Sequence, residues 1–336
     1  MKKRTMLWLC AVVAIVLSCT GCGGNKGSNG ASGVGQNDAA EASNGAKEGL
    51  PKEEGALKMG VMASMDYLPY LTAAEKGVYD SLGLEVEFVT FFSPNERDAA
   101  FRSGQIDGTI IDYSGAAIQQ SGGISLGLIA AHDGFFELLA DPSVTSISAL
   151  RGKKVGISRN TVIEYALDRM ISAQGLPEDA VRKTEVNKIP VRLEMLLSGD
   201  LSAGIFPDPF LSIGKARGLR SLCSTKDLGI SVTGTMMSGE ALEKKGNAVR
   251  LLLIGYNKGV DILLHEPRSS WRKVLTDGVK VPEELADTIE LPLFRYAQMP
   301  SEQDIKATLE WLHVKKLIPE TYNGEGLLRS EFLPIP

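Results

Sequence analysis

The sequence predicts an α/β protein of two lobes, each a mainly parallel sheet with helices on both faces. Three observations support this fold class. Strand-like and helix-like segments alternate along the body of the chain, which is typical of parallel sheets covered by helices. A weak internal duplication contains that alternation twice. About 280 residues follow the N-terminal region, more than one hydrophobic core usually holds.

The duplication is visible in two pairs of strings. Lys58–Met62 resembles Lys154–Ser158, and Ser103–Ile110 resembles Ser198–Ile205. Gly60 and Gly104 are 44 positions apart, and Gly156 and Gly199 are 43 positions apart. The matched spacing indicates that both copies hold the same intervening elements.

Each copy is predicted to run strand, helix, strand, helix, strand. Gly104 and Gly199 end the second helix of each copy, where a backbone of positive φ costs a glycine least. The predicted strands are Lys58–Met62, Leu84–Val89 and Gly108–Ile111 in the first copy, and Lys154–Ile157, Thr184–Val186 and Ala203–Phe206 in the second. The predicted helices include Asn95–Ser103, Val162–Ala173 and Pro190–Leu197.

Two further strand-like segments are interpreted as the places where the chain crosses between lobes, Ser125–Leu139 and Ile230–Met236. From Glu240 onward the sequence is predicted to be helical and to pack mainly on lobe 1, most clearly over Ala248–Leu264 and Asp304–Leu317. These boundaries assign residues 57–140 and 235–336 to lobe 1 and residues 141–234 to lobe 2.

The N-terminus predicts export. A basic run, Met1–Thr5, precedes an apolar stretch, Met6–Leu17, which is shorter than the ~20 residues of a spanning helix. Residues 1–18 are therefore expected to be a signal peptide. The following string, Ser18–Gly24, resembles the lipobox of bacterial lipoproteins, with Cys19 as the acylated residue and Cys22 as the alternative. An ordinary secreted protein without a lipid is the other interpretation.

Residues 19–56 are rich in Gly, Asn, Ser, Ala and charged side chains, and this composition cannot form a core. Such a tether reaches roughly 30 Å. The expected location is the extracytoplasmic face of the cell envelope, where an N-terminal acyl chain holds the protein on the lipid bilayer.

Composition and motifs argue against several classes of function. The net charge is -5 for the whole chain, and no basic run occurs in the body, so nucleic acid is not an expected partner. Cys223 is the only cysteine of the body, which excludes a disulfide framework there. The three histidines have no metal-ligand spacing. Gly123–Gly127 fits the nucleophile elbow of hydrolases, but a helix would precede it and a strand follow it, the reverse of what the elbow needs. We therefore expect no enzyme, no cofactor and no metal.

The repeat, the lipobox and two strings, Ser103–Gly108 and Leu150–Ser158, are similar to those of substrate-binding proteins of ABC importers. The resemblance is strongest to the branch that holds nitrate, sulfonate and taurine binders and binders of thiamine pyrimidine precursors. It implies a type II periplasmic-binding-protein-like fold, a monomer, a small-molecule ligand in the cleft between the lobes, and an ABC transporter permease as the membrane partner.

Ligands of open parallel sheets bind beyond the carboxyl ends of the strands, beside helix N-termini. The loops at those ends supply the candidate ligand-binding residues. They are Asp66, Tyr67, Ser93, Asn95, Asp112, Tyr113, Ser158, Asn160, Thr161, Glu164 and Asp208. Six of them could instead cap helices, namely Ser93, Asn95, Asp112, Ser158, Asn160 and Thr161. Glu164 could instead stabilise a first helical turn through the helix dipole, and Asp208 could shape a turn between two prolines.

The charge of these loops indicates the ligand class. Arg97 and Arg159 are the guanidiniums expected near the loops, and the candidate carboxylates outnumber them. Acceptors of this kind suit N–H donors, which favours a heterocycle like a thiamine pyrimidine precursor. The alternatives are a sulfonate, taurine or nitrate, or a ligand-sensing module or pyrimidine-synthase-like enzyme on the same fold.

Overall fold

The computed structural model describes residues 56–334, so the predicted signal peptide, Cys19, Cys22 and nearly all of the tether lie outside the described part. The strands of that part are β1 (Leu57–Met62), β2 (Val86–Phe91), β3 (Gly108–Asp112), β4 (Leu126–His132), β5 (Glu137–Ala140), β6 (Lys154–Ile157), β7 (Arg182–Glu185), β8 (Ala203–Phe206), β9 (Arg220–Ser224) and β10 (Thr233–Ser238).

The helices alternate with these strands. They are α1 (Leu68–Glu75), α2 (Val78–Ser81), α3 (Pro94–Arg102), α4 (Tyr113–Ser121), α5 (Val162–Ala173), α6 (Ile189–Leu197), α7 (Phe210–Ala216), α8 (Gly239–Lys244), α9 (Gly246–His265) and α10 (Glu302–Val314). Short 3₁₀ segments lie at Met65–Tyr67, Ile147–Leu150, Glu178–Ala180, Arg268–Ser270 and Ser330–Phe332, and a π-helical segment lies at Val274–Val279.

Two five-stranded sheets share one topology. The first has the order β2-β1-β3-β10-β4 and the second the order β7-β6-β8-β5-β9. The first three strands of each sheet are parallel, and the fourth is antiparallel to both of its neighbours. The two-lobed α/β fold is confirmed, with lobe 1 built on the first sheet and lobe 2 on the second.

The antiparallel strand of each sheet is the first strand after a crossing. β5 follows β4 of lobe 1 and inserts between β8 and β9, while β10 follows β9 of lobe 2 and inserts between β3 and β4. The segment predicted as one strand, Ser125–Leu139, is therefore two strands in different sheets. The first crossing lies at residues 133–136, before the predicted lobe boundary at residue 140, because β5 hydrogen-bonds to β8 of lobe 2.

Apolar cores cover both faces of each sheet. In β10, Met236 and Met237 point to opposite cores of lobe 1, and in β5, Leu138 and Leu139 do the same in lobe 2. α8 and α9 pack into one core of lobe 1 and α10 into the other. The expectation of continuous helix after Glu240 is wrong over residues 280–301, which separate α9 from α10 without forming a helix.

Gly60 and Gly156, which are equivalent in the repeat, each allow a side chain to pack closely against the first strand of a lobe. A Cβ on Gly60 would lie 2.5 Å from Cδ1 of Ile106, and one on Gly156 would lie 2.6 Å from Cδ1 of Leu201. Ile106 and Leu201 follow Gly104 and Gly199 by two positions, so they are equivalent residues of the repeat. The glycine lets the loop after the second helix close onto the first strand in each lobe.

We expect Gly60→Ala and Gly156→Ala each to lower the free energy of unfolding by about 1–3 kcal/mol, since the added methyl overpacks the core. Gly122→Ala is the control, because its Cβ would meet nothing closer than 3.4 Å and should change stability by less than about 0.5 kcal/mol. Urea unfolding measures all three. Equal stability of all three variants would contradict the packing argument.

Candidate ligand cavity between the lobes

The two sheets face each other across a cavity of about 60 Å³ at the carboxyl ends of their parallel strands. This volume is more than a single buried water molecule needs. The cavity is lined from lobe 1 by Met62, Ser64, Asp66, Pro94, Arg97, Ile110, Ile111, Asp112 and Thr233, from the first crossing by Phe136, and from lobe 2 by Ser158, Thr161, Val162, Ile163, Ile189, Arg192 and Pro207.

Four of the candidate ligand-binding residues line this cavity: Asp66, Asp112, Ser158 and Thr161. Asp208 lines a smaller adjoining cavity together with Asp66. Its carboxylate accepts the backbone N–H of Ser212 at 2.9 Å, and burial raises its pKa. The side chains of the other six candidates lie away from the main cavity.

Asp66 lies at the junction of lobe 1 with the first crossing. The Ser64 hydroxyl donates to its carboxylate, and a Cβ on Gly134 would lie 2.9 Å from the Cβ of Asp66. The carboxyl is almost fully buried, and this burial raises its pKa despite the nearby hydroxyls and Arg97. Asp66 therefore presents a poorly solvated carboxyl to the cavity.

Asp112 ends β3 and caps α4. Its carboxylate accepts the backbone N–H of Gly115 at 2.8 Å and the hydroxyl of Ser114, and it lies 3.9 Å from Nη2 of Arg97. Arg97 also pairs with Asp98 at 2.8 Å. Burial raises the pKa of Asp112, while Arg97 opposes the rise. The guanidinium of lobe 1 is thus neutralised by protein carboxylates.

Ser158 and Thr161 form the corresponding wall in lobe 2. Thr161 caps α5, accepting the Ile163 N–H at 3.2 Å and donating its hydroxyl to the Ser158 carbonyl at 2.9 Å. The Ser158 hydroxyl accepts a hydrogen bond of 2.9 Å from Nη1 of Arg192. Two hydroxyls and a helix N-terminus, all on lobe 2, therefore lie at the cavity.

Arg192 is the site residue that sequence reasoning missed. It is 0% exposed, and its second contact through Nη1 is the Val186 carbonyl at 3.1 Å. Its guanidinium lies over the Phe206 ring, 5.3 Å from the centroid. Within residues 56–334 no carboxylate pairs with it, and its Nε and Nη2 have no hydrogen-bond partner. Burial lowers its pKa to about 9, so the group is charged at neutral pH.

The repeat contained a signal for Arg192. It precedes Gly199 by seven residues, as Arg97 precedes Gly104, so the two arginines are equivalent. Arg159, which the sequence placed near the ligand, is instead exposed and lies 3.6 Å from Glu185. The basic group that lobe 2 directs into the cavity is therefore Arg192.

The remaining candidates have other contacts. Glu164 pairs with Lys183 at 3.0 Å and accepts the Asn160 N–H at 2.9 Å. Burial opposes ionisation of Glu164, but these two contacts outweigh it and hold the pKa below its usual value. Tyr67 donates to the Gly278 carbonyl at 3.1 Å. Ser93 and Tyr113 are buried outside the cavity lining, and the side chains of Asn95 and Asn160 are exposed.

A model of the family described as NMT1/THI5 like matches residues 64–270, more than half of the chain. The chain belongs to the NMT1/THI5-like family. A search of curated proteins gives no match.

Solved structures share the fold at low sequence identity. The ligand-binding component of an ABC-type import system from Staphylococcus aureus, solved with zinc bound, is 15% identical with a TM-score of 0.71, over 82% of this chain and 97% of that one. The periplasmic aliphatic sulphonate binding protein from Escherichia coli is 17% identical with a TM-score of 0.69, over 83% and 92%. The periplasmic nitrate-binding protein from Synechocystis PCC 6803 is 14% identical with a TM-score of 0.70, over 82% and 86%.

Within residues 56–334, no helix is both long enough and apolar enough to cross a membrane. In the same part of this NMT1/THI5-like chain, no group of three or more His, Cys, Asp or Glu side chains is arranged to hold a metal ion.

Asp112→Ala should lower the free energy of unfolding by about 3–5 kcal/mol, because it removes a helix cap and leaves Arg97 with one carboxylate fewer in a buried site. Thr161→Ala is the matched comparison, since it removes a cap without touching an ion pair and should cost about 1 kcal/mol. Urea denaturation measures both. Equal losses would show that the Arg97 pair contributes nothing.

Asp66→Asn should change how stability depends on pH. Burial raises the folded pKa above the unfolded value of about 3.9, so the native state binds more protons between these two values and loses stability as pH rises. The amide removes this loss. The free energy of unfolding of Asp66→Asn, relative to the native sequence, should therefore increase from pH 4 to pH 7.5. A difference that is constant over this range would contradict the raised pKa.

Proposed function

We propose that the protein is the extracytoplasmic solute-binding component of an ABC importer, and that it captures a small molecule with an anionic group between its lobes. Membership of the NMT1/THI5-like family and the fold shared with import-system and periplasmic binding proteins support the transport role. The lipobox at Cys19 or Cys22 supports attachment to the membrane beside a permease.

The anionic group is inferred from one observation, the buried Arg192 without a carboxylate partner. A buried charge left unpaired is costly, and most such groups are compensated by an opposite charge. Arg97, at the equivalent place in lobe 1, has Asp98 and Asp112. At Arg192 the ligand would supply the missing charge through the two unused donors, Nε and Nη2.

The surroundings of Arg192 suit an anion as well. The Ser158 hydroxyl on the same wall accepts from Arg192 and so keeps its proton to donate, and α5 begins at this wall. The positive end of a helix dipole favours a negative ligand. A sulfonate, a carboxylate or nitrate has the planar or forked oxygens that a guanidinium binds best.

The wall of lobe 1 favours a hydrogen-bond donor. The Asp112 carboxylate accepts from Gly115 and Ser114 and lies beside Arg97. Asp66 accepts the Ser64 hydroxyl but has no cation paired with it in residues 56–334, so Asp66 is the acceptor proposed for the ligand. An aminosulfonate such as taurine would satisfy both walls, with its sulfonate on Arg192 and its ammonium on Asp66. An aminopyrimidine is the second candidate ligand, because its amino group suits Asp66, but it leaves Arg192 uncompensated.

Thermal unfolding of the purified protein with taurine, an alkanesulfonate, nitrate and an aminopyrimidine tests the proposal. A ligand at one hundred times its Kd should stabilise the folded state by about 2.7 kcal/mol and raise the midpoint. Arg192→Met should weaken binding of the anion about 10- to 100-fold. It should leave the ligand-free protein as stable or more stable, because an apolar side chain replaces an unpaired buried charge.

Arg159→Met is the control, since Arg159 is an exposed cation of the same lobe and should leave binding unchanged. Stabilisation by the aminopyrimidine alone, undiminished in Arg192→Met, would replace the anion with the second candidate. If no compound in the set raises the midpoint, the proposed ligand classes are wrong.

A further inference from the structure

The C-terminal end of α10 belongs to lobe 1 but contacts lobe 2. Leu312 packs in the core that α4 and β3 share, and the neighbouring Trp311 packs against both that core and the lobe 2 core that contains α5. Nε1 of Trp311 donates to Asp168 at 3.0 Å. The Trp311 ring meets Tyr165 edge to face, with 5.4 Å between centroids.

Lys315 directly follows α10 and lies among carboxylates of lobe 2. Its Nζ is 3.1 Å from Asp168 and 3.4 Å from Glu164, and it also pairs with Glu178. Lys183 of lobe 2 contacts the same three carboxylates. Without Lys315, the three carboxylates would share Lys183 as their single cation and would carry excess negative charge. The ammonium of Lys315, from lobe 1, reduces that excess in lobe 2.

Glu178 lies at the exposed edge of this cluster, whereas its other members are largely shielded from solvent. The side chain of Glu164 is 4% exposed, that of Asp168 10% and that of Lys315 18%. Exposed ion pairs contribute little because water and salt screen them, whereas partly buried pairs are screened much less. The contact between α10 and lobe 2 is therefore stronger than a surface ion pair.

The cluster is also bonded to the cavity wall. Glu164, besides pairing with Lys315, accepts the backbone N–H of Asn160 at 2.9 Å. Asn160 has a φ of 60° and immediately precedes Thr161, which lines the cavity. One carboxylate thus connects the loop at the cavity to the C-terminal end of α10.

We propose that Trp311 and Lys315 form an interlobe clamp, which holds α5 of lobe 2 against α10 of lobe 1 and must release its carboxylates when the lobes part. The clamp connects the lobes through side chains, in addition to the two chain crossings. It goes beyond the proposed transport role and does not depend on the chemistry of the ligand.

A backbone contact on another side of the cleft reports closure. The N–H of Ile189, at the start of α6 in lobe 2, donates to the Phe92 carbonyl of lobe 1 at 3.4 Å. As the first residue of its helix, Ile189 has no intrahelical acceptor for this N–H. Hydrogen exchange of its amide in the purified, ligand-free protein therefore measures opening of the lobes.

Lys315→Met should accelerate exchange at Ile189 about tenfold, the loss expected for a charge-assisted contact. Trp311→Phe, which keeps an aromatic ring and removes the Nε1 donor, should give a smaller increase. Lys306→Met is the control, because Lys306 is exposed on the same helix and pairs only with Glu310 at 4.0 Å. Lys315→Arg should restore slow exchange.

The thermal midpoint of each variant separates opening from unfolding, because release of the clamp leaves both cores intact. Faster exchange at Ile189 with an unchanged midpoint supports the clamp. The clamp would be overturned if the Ile189 amide exchanged at the same rate in Lys315→Met and Trp311→Phe as in Lys306→Met. It would also be overturned if the native protein exchanged as fast as Lys315→Met.

Discussion

The architecture depends on the two crossings of the chain between the lobes. Each crossing ends in a strand that inserts in the interior of the sheet it enters rather than at its edge. Both of these strands, β5 and β10, begin at the cavity, since Thr233 pairs with Asp112 and Glu137 pairs with Phe206. The crossings are anchored by the sheet hydrogen bonds, so relative motion of the lobes is confined to the few residues before β5 and β10, beside the ligand cavity.

The duplication places equivalent helices on the two sides of the cavity, but the charged side chains on the two sides differ. Arg97 and Arg192 enter from equivalent helices, yet in residues 56–334 carboxylates pair with Arg97 and none pairs with Arg192. Lobe 1 therefore presents a neutralised guanidinium with Asp66 and Asp112, whereas lobe 2 presents a guanidinium bonded to neutral groups. A ligand between two such walls is oriented by its own polarity, because reversing it would place an anion against the carboxyls.

Local signals in the sequence explain which elements could be predicted. The bounds of β6, α5 and β8 agree with the prediction, since Thr161 caps α5 and glycines or polar residues bound the strands. The junction of β4 and β5 was not predicted because both strands are apolar. The local sequence does not indicate that they pair in different sheets. Arg192 was not predicted because the candidate residues were those of the loops, whereas its long side chain reaches the cavity from the first turn of α6. Glu164 was expected to contact the ligand. It pairs instead with Lys315, which is 151 positions away, and a local sequence pattern cannot predict so distant a partner.

The unpaired Arg192 and the clamp act on the same equilibrium in opposite directions. In the empty closed form, burial of Arg192 costs free energy that opening would recover by returning the guanidinium to water. The ion pairs of Lys315 favour closure and limit how far the empty protein moves toward the open form. The proposed anion on Arg192 would remove this penalty in the closed form alone, since a ligand shifts an equilibrium by its differential affinity for the two states. The clamp lowers the free energy of the closed form toward that of the open form. Less of the free energy of anion binding is then needed to close the lobes.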